Sequence, residues 1–260
     1  MTIYKDQLQR ELVIKYTPKR IVCLVPSLTE LLIDLGLENA LVGITKFCVH
    51  PKKIRKTKTI VGGTKKIKLD IIKSLNPDFI LTNKEENSKE IVEQVANIAP
   101  TFVSDLNTIN AVLELIKSLG VILNCQQKAS QINQEINQKQ EVFLDFIKNK
   151  PSKKVAYFVW ANPFMVAGKN TFINHLLKLN NFENVYGNLD RYPEIDLKKI
   201  ADLDYILLSS EPYPFKEKHK ALFSKYSNAK IILIDGEYFS WYGSRLLKAF
   251  NYFKKLQYKL

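Results

Sequence analysis

Cysteine is scarce in this 260-residue sequence, which contains only Cys23, Cys48 and Cys125. An odd number of cysteines without a CxxC pair argues against a disulfide framework and is typical of a reducing compartment. Long apolar runs are missing too, because segments such as RIVCLVP and KIILIDG are far shorter than the roughly 18 residues that cross a bilayer. The sequence therefore predicts free thiols and no membrane insertion.

The N-terminal segment lacks the continuous apolar core of a secretory signal, because Lys5, Asp6, Arg10, Glu11 and Lys15 interrupt it. The chain as written is therefore predicted to be cytoplasmic. If the true start lies upstream, a periplasmic location is predicted instead.

Signatures of common enzymes are also missing. The sequence contains no HExxH, GxSxG, Walker A or GxGxxG pattern, so catalysis and nucleotide binding have no positive support. Cys48 and His50 have a Cys-x-His spacing, but no second pair of metal-binding residues lies nearby. His175 and His219 are interpreted as residues of helix surfaces. We therefore predict no catalytic residue, no metal site and no intrinsic cofactor.

Positive charge is abundant, with a formal net charge of +13. Residues 46–73 hold ten Lys or Arg residues and one acid, Asp70, which gives this segment a net charge of +9. We interpret the segment as a solvated surface, with an anionic partner as the alternative. No nucleic-acid-binding motif accompanies the lysines, so nucleic-acid binding is not predicted.

Helices and strands alternate along most of the chain. Apolar strands such as IVCLVP and DFILTN are separated by helical segments, which is typical of a parallel α/β sheet. The segment SLTELLIDLG is predicted to be a helix, with Ser27 as its N-cap and Glu30 at the capping-box position.

One segment predicts a long helix. Residues 126–150 contain no Gly or Pro, and Ile132, Ile136, Phe143 and Ile147 recur at roughly helical spacing. The sequence therefore predicts an α/β protein with two Rossmann-like lobes that have parallel central sheets and are joined by one long backbone helix. The predicted parts are an N-terminal lobe (1–125), the linking helix (126–150) and a C-terminal lobe (151–260).

An internal repeat supports this division. The segments LDIIKSLNPDFIL, from Leu69, and LKKIADLDYIL, from Leu197, share Leu, Ile and Leu, followed by Asp, an aromatic residue, Ile and Leu. Each segment predicts a helix that runs into a strand. The common order of these features favours duplication over a chance match.

Polar and aromatic residues follow several predicted strands. Ligands of parallel α/β sheets bind beyond the carboxyl ends of the strands, so these loops are candidates for a binding site. Gly62 and Gly63 form a tight turn that lets the backbone approach a ligand closely. The aromatic residues from Tyr238 to Tyr242 are too close in sequence to share one core, so some of them are expected to face solvent or a ligand. Within this run, Trp241 is a candidate for ligand contact. The candidates in the other loops are Phe47, Trp160, Asn162, Phe164, Arg191, Tyr192 and Glu237.

Several ordered motifs together resemble one known family. They are PKRIVCLVPSLTELLIDLG, LVGITKFCVHP, VGGTKKIKLDIIKSLNPDFIL, VAGKNTFINHLLKLNNFENVY, RYPEIDLKKI and DGEYFSWYGSRLLKAF. The segment DQLQRELVI resembles the opening hairpin of the same family, with Gln9 at a position where glycine is usual. The chain thus resembles, over nearly its whole length, the class III substrate-binding proteins with a helical backbone. These capture cobalamin, haem and ferric siderophores for ABC importers, and the cobalamin-binding branch is the most similar.

The resemblance implies two lobes, one long connecting helix and a shallow cleft that holds a bulky metal chelate. It also implies which side chains contact the ligand, with Trp160 and Trp241 matched only by loop. The implied ligand-binding residues are Phe47, Gly62, Gly63, Trp160, Tyr192, Glu237 and Trp241.

The same resemblance implies that one exposed carboxylate in each lobe docks on a permease. Asp70 matches the first position, whereas Lys198 occupies the second. A basic residue at a surface that meets basic receptor groups is unfavourable for docking. An ABC permease is therefore a candidate partner whose second contact is altered in this chain.

These observations support three hypotheses. The leading one is a non-catalytic solute-binding protein that holds a corrinoid, similar to cobalamin, or a related metal chelate between two lobes. The first alternative is a ferric siderophore or haem binding protein of an iron-complex importer. The second is an enzyme that acts on a small molecule with Glu237 or Asp235 as acid or base.

Overall fold

The computed structural model describes residues 2–200 and 202–260, and the chain divides into two compact units. The first lobe comprises the residues up to Asn137 together with Tyr242–Arg245. The second lobe comprises Gln138–Trp241 and Leu246–Leu260. The predicted boundaries at residues 125 and 150 stay a prediction.

A five-stranded parallel sheet forms the centre of the first lobe. The five strands of this sheet are β3 (Ile21–Cys23), β4 (Leu41–Ile44), β5 (Thr59–Ile60), β6 (Phe79–Asn83) and β7 (Thr101–Ser104), and two further strands, β1 (Thr2–Lys5) and β2 (Glu11–Ile14), form a separate hairpin. The helices are α1 (Pro26–Asp34), α2 (Ile54–Thr57), α3 (Leu69–Ser74), α4 (Lys89–Ala96), α5 (Ile109–Ile122) and the start of α6 (Gln126–Ile147). The sheet order is β5-β4-β3-β6-β7, and every pair of neighbours in it is parallel. Apolar strands such as β3 and β6 are fully buried, as expected for a sheet covered on both faces.

The opening hairpin is formed by β1 and β2, which pair in antiparallel register with Ile3 opposite Val13. Its turn places Gln9 at φ 63°, in the left-handed region where glycine is usual. The carboxylate of Asp6 accepts a hydrogen bond from Val103 N at 3.2 Å, and Gln7 Nε2 donates to Ala111 O at 2.8 Å. The hairpin is therefore fastened to β7 and α5 of its own lobe.

The predicted N-cap of α1 was wrong. The helix begins at Pro26, and its N-cap residue Val25 makes no side-chain capping bond. Proline suits the first helical position because its missing N–H has no helical acceptor there. Ser27 lies inside the first turn, and the carboxylate of Glu30 pairs with Arg245 rather than with the start of the helix.

The second lobe is built around another parallel sheet, ordered β10-β8-β11-β12, with β9 antiparallel to β8. Its strands are β8 (Lys153–Trp160), β9 (Met165–Val166), β10 (Phe182–Asn184), β11 (Tyr205–Ser209) and β12 (Lys230–Ile234). Its helices are α7 (Phe172–Leu179), α8 (Glu217–Phe223), α9 (Glu237–Ser240) and α10 (Leu246–Lys259).

The predicted long helix is present as α6. Ile132, Ile136, Phe143 and Ile147 are all buried, which confirms the spacing that predicted it. Within the second lobe, the ring of Phe143 lies 5.8 Å from that of Phe253 on α10. In the described part of the chain, no helix combines the length and the apolar character that a membrane span requires.

The repeated segments have matching hydrogen bonds. Asp78, just before β6, donates its N–H to Arg20 O and accepts from Arg20 N at 2.8 Å. Asp204, just before β11, donates its N–H to Lys154 O and accepts from Lys154 N at 2.7 Å. The aspartate of the repeat therefore holds the start of an adjacent strand in both lobes, which supports duplication.

The helix predicted in the second copy of the repeat was wrong in extent. Leu197–Lys199 form only a 3-10 turn, which the side chain of Asp196 caps by accepting from Lys198 N at 3.0 Å. Ile200 is extended, with φ −62° and ψ 134°, and ends the turn. The first copy retains a true helix, α3.

Candidate functional site

The carboxyl ends of β4 and β5 bring three predicted ligand-binding residues together. The N–H of Lys46 donates to Gly62 O at 2.8 Å, which joins the two loops. Gly63 lies against the ring of Phe47, so that a Cβ at Gly63 would be only 3.1 Å from Cε2 of that ring. Phe47 nevertheless remains 48% exposed. The pair forms an apolar surface at this edge of the first lobe.

Gly62 has a conformation that only glycine adopts without strain. Its φ is +118°, and a Cβ would lie 2.6 Å from Lys66 O. The N–H of Gly63 then donates to Lys66 O at 2.7 Å and closes the turn. The backbone of this loop is therefore fixed before any ligand arrives.

A third loop at this edge, residues 84–87, was not singled out from the sequence. The side-chain oxygen of Asn83 accepts from the N–H groups of Glu85 and Glu86 at 2.9 and 3.1 Å. Asn87 Nδ2 donates to Thr64 O at 3.0 Å. Buried amide side chains thus hold this loop beside the turn that contains Gly62 and Gly63.

Glu86 is the most perturbed carboxyl group of this edge. Burial and the neighbouring charge of Glu85 raise its pKa to about 7, although Lys65 and a hydrogen bond from Thr64 act in the opposite direction. Tyr242 OH donates to Glu85 Oε2 at 3.2 Å. The sequence signal for this loop is the acid pair Glu85 and Glu86, which follows a buried strand after one lysine and contains no aromatic residue.

The Cys48-x-His50 spacing does not gather a metal site. Cys48 is buried, its thiol donates to Thr29 Oγ1 at 3.3 Å, and burial raises its pKa. Burial also raises the pKa of Cys23 to about 12. Within residues 2–200 and 202–260, no group of three or more His, Cys, Asp or Glu side chains is placed to hold a metal ion.

In the second lobe, two of the predicted residues follow strands of the same sheet. Trp160 ends β8 and is 40% exposed. Glu237 follows β12, begins α9, and donates its N–H to Asp235 Oδ1 at 3.1 Å. Because β8, β11 and β12 are consecutive parallel strands, both residues lie at the carboxyl edge of this sheet.

Tyr192 lies on a segment that runs beside β9. Val166 N donates to Pro193 O at 3.1 Å, and Gly168 N donates to Arg191 O at 2.7 Å. The Tyr192 ring is half-buried, and the Arg191 guanidinium lies 6.0 Å from its centroid. Since β9 pairs with the end of β8 at Trp160, this segment joins the same region of the lobe.

Most of the aromatic residues after β12 pack inside the protein. Phe239 is fully buried between Tyr157 and Phe253, at 5.4 and 4.9 Å between ring centroids. Trp241 is only 8% exposed, and Tyr242 only 4%. Tyr238 is half-buried, and the expectation that some residues of this run face solvent or a ligand stays a prediction. Trp241 as a ligand contact stays a prediction.

The proposed docking positions are both on the surface. Asp70 lies in the first turn of α3 and is exposed. Lys198, in the 3-10 turn of the second lobe, is exposed as well. The docking role of Asp70 stays a prediction.

Two compact α/β lobes, each with a parallel sheet and a carboxyl edge rich in polar and aromatic loops, define this chain as a two-lobed α/β protein with binding-protein architecture. Residues 21–232 match the sequence model of the family described as periplasmic binding protein. The chain belongs to the periplasmic binding protein family.

Curated relatives carry names that describe solute binding. The chain is 26% identical over 207 residues to the uncharacterized ABC transporter substrate-binding lipoprotein YvrC of Bacillus subtilis, covering 76% of this chain and 65% of that protein. It is 22% identical over 240 residues to the vitamin B12-binding protein of Pectobacterium carotovorum, covering 89% of this chain and 86% of that protein. The matched region thus spans about two thirds of the Bacillus protein.

Solved structures confirm the predicted two-lobed α/β fold. A periplasmic heme binding protein from Pseudomonas aeruginosa has a TM-score of 0.80 at 20% identity, with 93% of each chain covered. The periplasmic vitamin B12 binding protein BtuF of Vibrio cholerae has a TM-score of 0.79 at 16% identity, covering 94% of this chain and 99% of that chain. At these identities the similarity establishes the fold alone.

Proposed function

We propose that this chain is a non-catalytic solute-binding protein that captures a corrinoid, with cobalamin as the first ligand to test. The observation that carries this proposal is its similarity, over 89% of the chain, to a protein named for vitamin B12 binding. The names of the relatives describe binding rather than catalysis, which supports a role without turnover.

The chemistry of the two carboxyl edges suits such a ligand. Phe47 and Trp160 keep 48% and 40% of their surface exposed, and flat aromatic rings bury large apolar areas against a conjugated macrocycle. Glu86 and Glu237 each supply a carboxyl group beyond the carboxyl end of a strand of their own sheet, and carboxyl oxygens can accept hydrogen bonds from the amide groups of a corrin periphery. A few polar groups among apolar ones fix a ligand's orientation.

The test is an absorbance titration of the purified chain with cyanocobalamin, cobinamide, hemin and one ferric siderophore. Saturable one-to-one binding of a corrinoid, weakened by Trp160→Ala, is the expected result. The absence of saturable binding by both corrinoids contradicts the proposal. After each titration the ligand is recovered and its chemical identity is checked. A chemically converted ligand would indicate an enzyme.

Basic residues beside Phe47 favour an anionic chelate, such as haem or a ferric siderophore, as the second candidate. Lys46 Nζ lies 5.0 Å from the centroid of the Phe47 ring, and the exposed Lys66 closes the turn at Gly63. Ammonium groups attract carboxylates, and salt weakens this attraction. If hemin is the ligand, Lys46→Gln with Lys66→Gln lowers its affinity and its salt dependence together. Cyanocobalamin, which carries no carboxylate, is the matched comparison.

We also propose that the protein acts outside the cytoplasm and delivers its ligand to an ABC permease. The family description and the lipoprotein name of the Bacillus relative support this location, whereas nothing in the comparisons supports the cytoplasmic one. Fractionation of source cells followed by immunodetection tests it. Asp70→Lys is expected to lower the affinity for the cognate permease without changing ligand affinity, because Asp70 lies on the surface of α3.

A further inference from the structure

The loop between β11 and α8 occupies the middle of the second lobe's carboxyl edge. Since β11 lies between β8 and β12 in the sheet, this loop follows the strand between those that lead to Trp160 and Glu237. Gly236 N donates to Ser210 Oγ at 2.9 Å, and Tyr213 N donates to Val159 O at 3.3 Å. The loop is thus tied to both neighbouring strand ends.

Tyr213 is the aromatic residue that this loop places beside Trp160. The two ring centroids are 5.7 Å apart, with an interplanar angle of 69°. On its other side, Tyr213 contacts the buried Phe215 at 4.7 Å. Tyr213 is half-buried and Trp160 is 40% exposed. The contact with Phe215 holds the Tyr213 ring, and both rings still present aromatic surface to solvent.

His219 holds the Tyr213 ring in place. Its Nδ1 lies 2.7 Å from Lys216 N and 3.2 Å from Lys216 O, so the ring is held at the start of α8. Nε2 lies 3.5 Å from Tyr213 OH, and the two ring centroids are 5.7 Å apart. The interpretation of His219 as a plain helix-surface residue was therefore incomplete, because α8 turns this half-buried ring toward the carboxyl edge.

We propose that Tyr213 is a further ligand-binding residue of the second lobe, which forms with Trp160 a platform for a flat conjugated ring, and that His219 is its positioning residue. This inference rests on the proposed function and names one more part of the same site. Two aromatic rings at an angle offer a ring face and a ring edge to a macrocycle, and a rigid platform loses little side-chain entropy on binding.

The experiment uses the fluorescence of Trp160. The chain has two tryptophans, so Trp241→Phe leaves Trp160 as the sole one. Cyanocobalamin and hemin both absorb strongly and quench an indole that they contact. In this background, Tyr213→Ala is expected to raise the Kd of the bound chelate on the order of ten-fold. Tyr213→Phe keeps the ring and is expected to change the Kd much less.

Tyr226→Ala is the matched control. Tyr226 is 40% exposed in the same lobe, but it follows α8 and precedes β12, at the amino end of the strand. Its removal is expected to leave the Kd unchanged. Tyr213→Leu is a second variant that keeps most of the side-chain volume and removes the conjugated ring, and the same loss of affinity is expected from it.

A double-mutant cycle tests the role of His219. His219→Ala is expected to weaken binding when Tyr213 is present and to add little to Tyr213→Ala, because a positioning residue acts only through the ring that it orients. Fully additive effects overturn the positioning role. An unchanged Kd for both Tyr213→Ala and Tyr213→Leu overturns the platform while leaving the proposed function intact. If the unsubstituted chain binds neither cyanocobalamin nor hemin, the proposed function fails, and the platform fails with it.

Discussion

Arg245 Nε donates a hydrogen bond to Glu30 Oε2 at 2.9 Å, and the two residues are 215 positions apart in the chain. Both side chains are buried, with 5% and 7% of their surface exposed. Burying an ion pair costs desolvation energy on both sides, so such a pair contributes little by itself but is costly to break. The pair fixes the 3-10 turn Gly243–Arg245 to α1 within the first lobe.

Glu30→Gln is therefore expected to lower the free energy of unfolding by about 3 kcal/mol, because it leaves the Arg245 charge buried without its counter-ion. Urea denaturation measures this loss. The paired replacement Glu30→Leu with Arg245→Met is expected to lose less than either single change. Asp145→Asn, which removes an exposed ion pair with Lys148, is the control and is expected to have no measurable effect. A larger loss in the paired variant than in Glu30→Gln would contradict this account.

The turn at Gly62 predicts a sharp difference between two glycines. Gly62→Ala places a Cβ 2.6 Å from Lys66 O and is expected to cost roughly 2 kcal/mol or more of unfolding free energy. Gly36 also has a positive φ, +84°, but nothing lies within 4 Å of its added Cβ. Gly36→Ala is thus expected to cost about 1 kcal/mol, the strain of the left-handed conformation alone. Thermal and urea denaturation measure both losses. Equal losses of unfolding free energy for Gly62→Ala and Gly36→Ala would show that the contact with Lys66 O does not add to the cost.

Glu86 predicts a pH dependence of stability. Its pKa is raised from its ordinary value of 4.5 to about 7, so the folded state keeps a proton that the unfolded chain releases between these values. Its contribution to the free energy of unfolding is fully present below pH 4.5 and is lost as the pH rises through 7. Glu86→Gln removes this loss. It is therefore expected to stabilise the protein at pH 8, by roughly 1 kcal/mol, and to have a much smaller effect at pH 5.

Denaturant unfolding at pH 5, 6, 7 and 8 measures this trend. Glu141→Gln, at an exposed position of α6, is the control and is expected to show no such trend. A difference between Glu86→Gln and the unsubstituted chain that stays constant from pH 5 to 8 would argue against a raised pKa.

Phe47→Ala tests the first lobe as a ligand surface. Phe47 is 48% exposed and packs on Gly63, so its truncation removes ring contacts with a ligand while disturbing little of the core. The expected result is a rise in Kd for the bound chelate of about ten-fold, with an unchanged melting temperature. Tyr16→Ala is the matched control, because Tyr16 is 66% exposed but precedes β3 on the amino side of the sheet. Comparable effects of both variants on affinity would indicate a general loss of structure.

The spacing of apolar residues along the sequence was sufficient to predict the α/β fold. The buried positions of α6 from Ile132 to Ile147 follow from spacing, and the strands β3 and β6 follow from short apolar runs. The contact between Phe47 and Gly63 follows from the rule that parallel strands end at one edge of their sheet. These features depend on local patterns and on one general property of topology.

The missed features depend on partners that are distant in the chain. Glu30 was assigned to a capping box because a local pattern permits it, but Arg245 competes for its carboxylate. The orientation of Phe239 depends on Tyr157 and Phe253, which no local pattern indicates. Tyr213 lies in a segment without a periodic apolar pattern or a known motif. Trp160 comes near it only when β8 and β11 pair in the sheet.

Tyr242–Arg245 belong to the first lobe although they follow almost the whole second lobe in the chain. A ribosome releases the chain from its N-terminal side, so residues 138–241 of the second lobe emerge before the first lobe receives these four residues. The hydroxyl of Tyr242 and the guanidinium of Arg245 then reach Glu85 and Glu30. The first lobe is therefore completed only after most of the second lobe has been made, and a fragment that stops at α6 lacks these four buried residues.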